Sequence, residues 1–516
     1  MKQIGTDSHL TSVHKHRWLM ALACYLVLSL SFLTSCDSKG SGVRKNIRSA
    51  KDLKGAIIGV QLGTTSDVLA TELEKKENST RVERYTKGAD AIQALRQGKI
   101  DCVMTDEAPA KAFMRVNPSL RILPGEFDKS SMAICVAKGD EKLLRTFNWA
   151  IRSLKEDGVI DTIVNRHIVG RQAVAYHSHH VKYIDAEPLR FATNATFEPF
   201  EYYQDGNVVG IDIDVAHAIG DKIGRKVEVT DMEFDAIITS VQTGKTDAGI
   251  AGITVTEERK KNIDFTDAYT EVRQVVVVDG GVESVEKGQS LTDKFKSCFI
   301  TDGRYRYLLT GLGNTLVITF FAILLSLFLG TLIAIVRATH DRNGSHCILN
   351  LICQFYLTII RGTPTMVQLL IIYYVVFASA NVDKLWVAII AFGLNSAAYI
   401  SEVIRSGIMS VDKGQMEAGR SLGLSYSQTM RFVILPQAFK NVLPAIGNEL
   451  ITLLKETSIS GYIGLVDLTK GSDIIRSITY DAMMPLGVVA IIYLGIVLAL
   501  SAGVNRLEKR LRKSEG

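Results

Sequence analysis

The seven cysteines of this 516-residue chain form no Cys-x-x-Cys pair and no Cys/His ligand spacing, which argues against a metal site. A complete phosphate-binding loop is also missing. Gly244-Lys245-Thr246 has the ending of one, but the glycine needed five residues before Gly244 is Thr239. The chain is therefore not expected to hydrolyse ATP itself, and nothing in it calls for a cofactor. Neither sign of charge dominates: 59 Lys and Arg against 54 Asp and Glu give a net charge of +5. The cations gather beside apolar runs rather than in a basic stripe, which speaks against nucleic acid as a partner. What the chain has in excess is apolar residues, 47% of the total with a mean hydropathy of +0.16, so part of it is expected to reside in lipid.

His14-Lys15-His16-Arg17 precedes an apolar run from Leu19 to Leu33 that closes on Leu33-Thr34-Ser35-Cys36. A basic segment, a short apolar core and small residues make a signal-peptide layout. The terminal cysteine resembles the bacterial lipobox, which implies lipidation of Cys36 and contact with membrane lipid; an uncleaved signal anchor is the alternative. Both readings send the next segment out of the cytoplasm. Cys102 and Cys135 fall in apolar, strand-like runs on that exported side, as buried free thiols or as a disulfide.

From about Asp37 to Gly280 the pattern is α/β. Strands such as Ala56 to Val60 and Val275 to Val278 alternate with amphipathic helices such as Leu143 to Leu154. The block Asp52-Leu53-Lys54-Gly55 through Gln61-Leu62-Gly63-Thr64-Thr65 to Cys102-Val103-Met104-Thr105-Asp106 resembles the second lobe of periplasmic binding proteins for polar amino acids. The block Thr193-Asn194-Ala195-Thr196-Phe197-Glu198-Pro199-Phe200, with Gly210 to Asp214 and Gly252 to Arg259, resembles their first lobe. The order is thus reversed relative to the family. A circular permutation explains this with one copy of each lobe, Leu143 to Ile168 returning as helices of the first; two partial domains in tandem are the alternative.

Recognition of an amino acid needs a planar cation for the α-carboxylate, helped by hydroxyls and backbone N–H groups at a helix start, and a carboxylate for the α-ammonium. The resemblance implies that Arg259, Thr254 and the Gly252 backbone act with Thr64 and Thr65 in the first role, and Asp106 in the second. It also implies Phe197 and Phe234 as apolar walls. Asn194 stands where binders of basic or amide side chains commonly have aspartate. That points to a polar, not strongly cationic ligand, with glutamine the best single choice.

Beyond a linker at 281–306 the chain becomes apolar. Five membrane spans are expected: Tyr307 to Val336, Thr363 to about Ala380, Leu385 to about Ile400, around Val442 to Gly461, and Met483 to Val504. The fourth is interrupted by Glu449, Lys455 and Glu456, and intramembrane charges such as Glu449 and Lys455 mark a candidate pathway. Arg337, Arg342, Arg405, Lys413, Arg420, Arg431 and the cations from Arg506 to Lys513 share one side, which is then the cytoplasm and holds the C-terminus.

Gly414-Gln415-Met416-Glu417-Ala418-Gly419, followed by Gly423 and by Val433-Ile434-Leu435-Pro436, lies on that side. It resembles the EAA loop by which ABC importer permeases dock their ATPase, with Gly419 where a second alanine is usual and Val433 where isoleucine is usual. Ile360 to Gln368, Ala397 to Arg405 and Leu453 to Ser458 match further strings of the polar amino acid permeases. The fold implied is a two-lobed α/β periplasmic binding protein domain of type II, followed by an all-α membrane domain of the type I importer kind. The divisions expected are 1–36 signal, 37–186 second lobe with returning helices, 187–280 first lobe, 281–306 linker and 307–516 permease. Together these imply a multi-pass protein of the bacterial cytoplasmic membrane that binds a polar amino acid outside the cytoplasm. It would work as a homodimer, or paired with a related permease, with a separate ATPase subunit at Glu417, Ala418, Gly419 and Gly423. A ligand-gated ion channel shares the binding fold, but neither a pore loop within the second lobe nor a Thr-Val-Gly-Tyr-Gly filter is present.

Overall fold

In a computed structural model the chain is described at residues 45, 47–125, 129–169, 183, 187–280, 290–378, 380 and 382–513. The signal segment with Cys36 lies outside the described residues. The first elements are β1 (Ile57–Gln61), α1 (Thr65–Lys76), β2 (Arg81–Tyr85), α2 (Gly88–Arg96), β3 (Cys102–Asp106), α3 (Glu107–Val116), β4 (Leu120–Ile122) and β5 (Lys129–Met132). β1 pairs in parallel with β2 and with β3, as helix-linked strands must. Central strands of such a sheet are covered on both faces, and every residue of β3 is buried.

The chain then leaves this lobe and builds another. It contains β6 (Cys135–Ala137), α4 (Glu141–Glu156), α5 (Val159–Val169), β7 (Leu189–Thr193), β8 (Thr196–Phe197), β9 (Glu201–Gln204), β10 (Asn207–Val209), α6 (Ile211–Ile223), β11 (Val227–Asp231), α7 (Ala236–Gln242), β12 (Ala248–Gly249), α8 (Glu257–Lys260) and β13 (Ile263–Phe265). Its sheet runs β11-β7-β12-β6-β13. Asp140 caps α4 by accepting from Leu143 N at 3.0 Å. The helix buries Phe147, Ala150, Ile151 and Leu154, one face at helical spacing, and Phe147 stacks on Phe191 of β7 with centroids 5.7 Å apart. A buried pair at 2.8 Å joins His167 of α5 to Asp214 of α6.

β14 (Thr270–Asp279) returns to the opening lobe. Its first residues pair with β5 and its last with β3 and β4. The two lobes are thus joined by a two-strand crossover, β5 leading out and β14 back. Cys102 lies in one sheet and Cys135 in the other, and both are buried free thiols, which corrects the disulfide alternative.

Residues 290–306, expected to be linker, are largely helical: α9 (Leu291–Phe295) runs into a π-turn at Lys296–Ile300. The membrane half consists of α10 (Tyr305–Asn343), α11 (Cys347–Gly362), α12 (Thr365–Ile371), α13 (Lys384–Met409), α14 (Lys413–Ser421), α15 (Tyr426–Thr429), α16 (Leu435–Glu456), α17 (Leu468–Thr479) and α18 (Met483–Lys513). Close approach of α10 and α13 depends on small residues, since a Cβ on Gly393 would lie 2.6 Å from Leu325 Cδ2.

Four of the five expected spans coincide with apolar helices among the described residues. Three described helices, α10, α13 and α18, are long and apolar enough to cross a membrane, and α11 with the segment Thr365–Val376 makes a fourth as one pair bent by 110°. The bend sits at Pro364, which caps α12 while Thr363 is extended. Gln368 satisfies the carbonyls freed there, donating from Nε2 to Ile360 O at 2.6 Å and Thr363 O at 3.0 Å. α16 is helical over the expected fourth span, but Lys440, Glu449, Lys455 and Glu456 keep it out of that apolar set.

Candidate functional site

Two loops from opposite lobes face each other at the cleft. Leu62 to Thr65 connects β1 to α1, and Met232 to Asp235 connects β11 to α7. Thr64 caps α1, its hydroxyl donating to Gln61 O at 2.7 Å and accepting from Asp67 N at 3.4 Å. Arg259, in the short helix capped by Thr256, reaches across the cleft. One guanidinium nitrogen donates to Thr254 O at 2.8 Å in its own lobe, the other to Gly63 O at 2.5 Å in the opposite lobe. The guanidinium also lies 5.6 Å from the centre of the Phe234 ring, a cation–π distance. Burial lowers its pKa from the ordinary arginine value. A second bridge, Arg115 to Glu198 at 2.7 Å, helps hold the lobes together.

The enclosed space is about 20 Å³, lined by Thr64, Thr65 and Asp106 from one lobe and Asn194, Phe197, Phe234, Gly252, Thr254 and Arg259 from the other. These are the nine residues singled out in the sequence. Such a volume is on the order of one water, so a larger guest enters only when Arg259 swings off Gly63 or the lobes part. Gln61, Glu201 and Ala251 complete the lining and were not anticipated.

Asp106 accepts a hydrogen bond from Gln274 Nε2 of the crossover strand β14. Burial pushes its pKa up to about 7, with Gln274 opposing the rise. Glu201 is also fully buried, and desolvation followed by the nearby Asp212 charge raises its carboxyl well above the usual range. Its Oε2 has no hydrogen-bond partner, so a buried acid on the cavity wall retains a free oxygen.

Two of the expected residues already carry hydrogen bonds of their own. The Gly252 N–H donates to Asp212 Oδ2 at 2.6 Å, so it is not available to a carboxylate in the cavity. Gly252 contributes shape instead: its φ is +55°, and a Cβ there would lie 3.2 Å from the Phe197 ring. Asn194 is already engaged, Nδ2 donating to Met232 O at 2.8 Å and Oδ1 accepting from Thr196 Oγ1 at 2.8 Å. One further N–H and one lone pair of its amide remain.

Glu417 and Ala418 are exposed on α14. Gly419 is buried, and a Cβ on it would come within 2.5 Å of Thr429 Cγ2, which accounts for glycine at this position. Gly423, with φ +83°, ends the turn after α14. Leu422, Phe432 and Phe439 expose apolar surface nearby. On α16, Glu449 accepts from Ser396 Oγ at 3.0 Å, while Lys455 is exposed.

Residues 189–454 match the family of bacterial extracellular solute-binding proteins, family 3. The chain is 38% identical over 211 residues to the arginine transport system permease protein ArtQ of Bacillus subtilis (strain 168), covering 40% of this chain and 94% of ArtQ. It is 37% identical over 207 residues to the putative glutamine transport system permease protein GlnP of Rickettsia typhi, covering 40% and 93%. Among solved structures, an amino acid ABC transporter with histidines is 40% identical with a TM-score of 0.38, covering 41% of this chain and 98% of that one. A two-lobed α/β unit and a helical membrane unit therefore share one polypeptide, and the chain belongs to family 3 of the bacterial extracellular solute-binding proteins, fused to a permease of the amino acid ABC transporter family.

Proposed function

We propose that this chain captures a polar amino acid outside the cytoplasm and passes it through its own membrane half, as the receptor-permease subunit of an ATP-driven importer. The observation that carries the reading is the convergence of Arg259 and Asp106, from opposite lobes, on one desolvated cavity. An α-carboxylate pairs with the guanidinium and the hydroxyls of Thr254 and Thr65. An α-ammonium pairs with Asp106 and the free oxygen of Glu201. The relatives are named for arginine and for glutamine transport.

Glutamine is the best single ligand, because Asn194 offers a neutral donor and acceptor where a cationic side chain needs charge. The lobes are circularly permuted, a reading supported by one main sheet for each lobe. Five spans, with α16 as the least apolar, place the binding lobes outside and α14 in the cytoplasm, where a separate ATPase docks on Glu417 and Ala418. Two copies enclose the pathway, with Glu449 and Lys455 beside it, and Cys36 carries the lipid.

Competition binding of glutamine, glutamate, arginine and histidine to the full chain and to Asn194→Asp tests the ligand assignment. Glutamine should win in the unaltered chain, and the variant should gain affinity for arginine relative to glutamine. Preference of the unaltered chain for arginine would refute it.

A further inference from the structure

Arg361 is the single charged residue of α11, a helix of 16 residues. Among the described residues its guanidinium carbon lies 5.7 Å from the centre of the Tyr399 ring, and no carboxylate pairs with it. Both side chains are exposed. With Arg337, Gln354, Thr358 and Glu402 they line an open groove of about 600 Å³ between α10, α11 and α13.

The charges here do not balance. Arg337 pairs with Glu402, which also accepts from Arg405 at 2.9 Å, and Arg405 reaches Asp341 at 3.2 Å. Three guanidiniums of this cluster thus stand against two carboxylates, and the surplus cation is Arg361. The level in the membrane half is also defined. The charge-free run of α10, Tyr307 to Val336, ends at Arg337, and that of α13, Leu385 to Ser401, ends at Glu402. Both helices therefore reach a polar boundary at this groove, on the side that leads into α14, and cationic and aromatic side chains favour that level of a bilayer. On α11, Leu351 and Phe355 are exposed at helical spacing from Thr358, so the same side of the helix continues as apolar surface.

We propose that this groove binds a phospholipid of net negative charge, its phosphate accepting from the Arg361 guanidinium and its acyl chains lying along Leu351 and Phe355. A guanidinium offers a phosphate two parallel N–H bonds, and basic clefts between membrane helices suit anionic headgroups. A zwitterionic lipid would bring a cation that finds no free carboxylate here, since Glu402 and Asp341 are both paired. The site is independent of which ligand the two lobes hold.

The test is native mass spectrometry of the full chain in detergent, titrated with phosphatidylglycerol or with phosphatidylcholine of the same acyl chains. The unaltered chain should retain phosphatidylglycerol in preference to phosphatidylcholine. Arg361→Gln should weaken that retention by about fivefold or more, the effect of removing one cation from beside an anionic headgroup. Arg510→Gln, which removes an exposed cation of α18 outside the groove, should leave it unchanged. A melting curve confirms that each variant is folded. Equal retention by Arg361→Gln and the unaltered chain would overturn the site, and so would an equal loss in Arg510→Gln, which would mean general surface charge. Displacement of the lipid by excess inorganic phosphate would reassign the groove to a free anion. Phosphatidylglycerol held by monomers and lost as the chain dimerises would place a second copy in the groove and overturn the lipid site as well.

Discussion

Replacing Arg259 by alanine should weaken every amino acid ligand, because no neighbouring group can take over its work. The guanidinium is the cation on the cavity wall, and its two recorded bonds go to neutral carbonyls, Thr254 O and Gly63 O, so its charge is left for a ligand. Removing one side of a desolvated, charge-assisted pair costs on the order of 2 to 5 kcal/mol. At about 1.4 kcal/mol per tenfold, the dissociation constant should rise by roughly thirtyfold at the low end and several thousandfold at the high end. Arg259→Lys keeps a charge but loses the planar fork that reaches Thr254 and Gly63 together, so it should fall between the two. Calorimetry on the full chain in detergent, with several amino acids, gives the affinities, and a melting curve for each variant confirms that it is folded. Wild-type affinity in a folded Arg259→Ala chain would remove the residue from the site and refute the charge-pairing argument.

Three further outcomes are expected. With Asp106 raised by burial to about 7, a ligand ammonium should lower that pKa on binding. Affinity should then fall as pH drops below about 7, by at most tenfold per pH unit, and binding should release a proton that calorimetry in buffers of different ionisation heat detects. The contribution of Asp106 to stability without ligand has the opposite sign: it is fully present below the unfolded value near 3.9 and is lost as pH rises through about 7. A pH-independent affinity across that window would exclude Asp106 as the ammonium partner. Glu417→Ala should leave ligand binding intact while uncoupling ATP hydrolysis from uptake; unchanged uptake in an assembled complex would show that the exposed carboxylate does not transmit the ATPase movement.

Local patterns carried the parts of this molecule that depend on neighbours in sequence. The apolar face of α4 could be read from spacing, and so could a helix start at Thr363-Pro364. The sequence did not reveal that Pro364 sits at the corner of a bent pair. A proline that starts one helix says nothing about the residues before Thr363, and those from Cys347 to Gly362 form the other limb. Glu201 was missed for a similar reason: it follows Pro199-Phe200 in an ordinary strand, and its importance comes only from burial beside Asp212. In α17, Lys470, Asp473 and Arg476 look like a solvated charged face. Their partners Asp231, Glu233, Lys87 and Asp90 stand more than two hundred residues away, where no periodicity reaches. Asn194 and Gly252 were placed on the cavity, but the hydrogen bonds that occupy them belong to tertiary contacts with Met232 and Asp212.

The most direct test of the central claim is accumulation of a radiolabelled amino acid by vesicles holding the full chain and its ATPase, with ATP and with a non-hydrolysable analogue. The account predicts uptake against a gradient that requires hydrolysis and disappears with Arg259→Ala. Ligand-evoked current through the chain alone, with neither ATPase nor ATP, would contradict it.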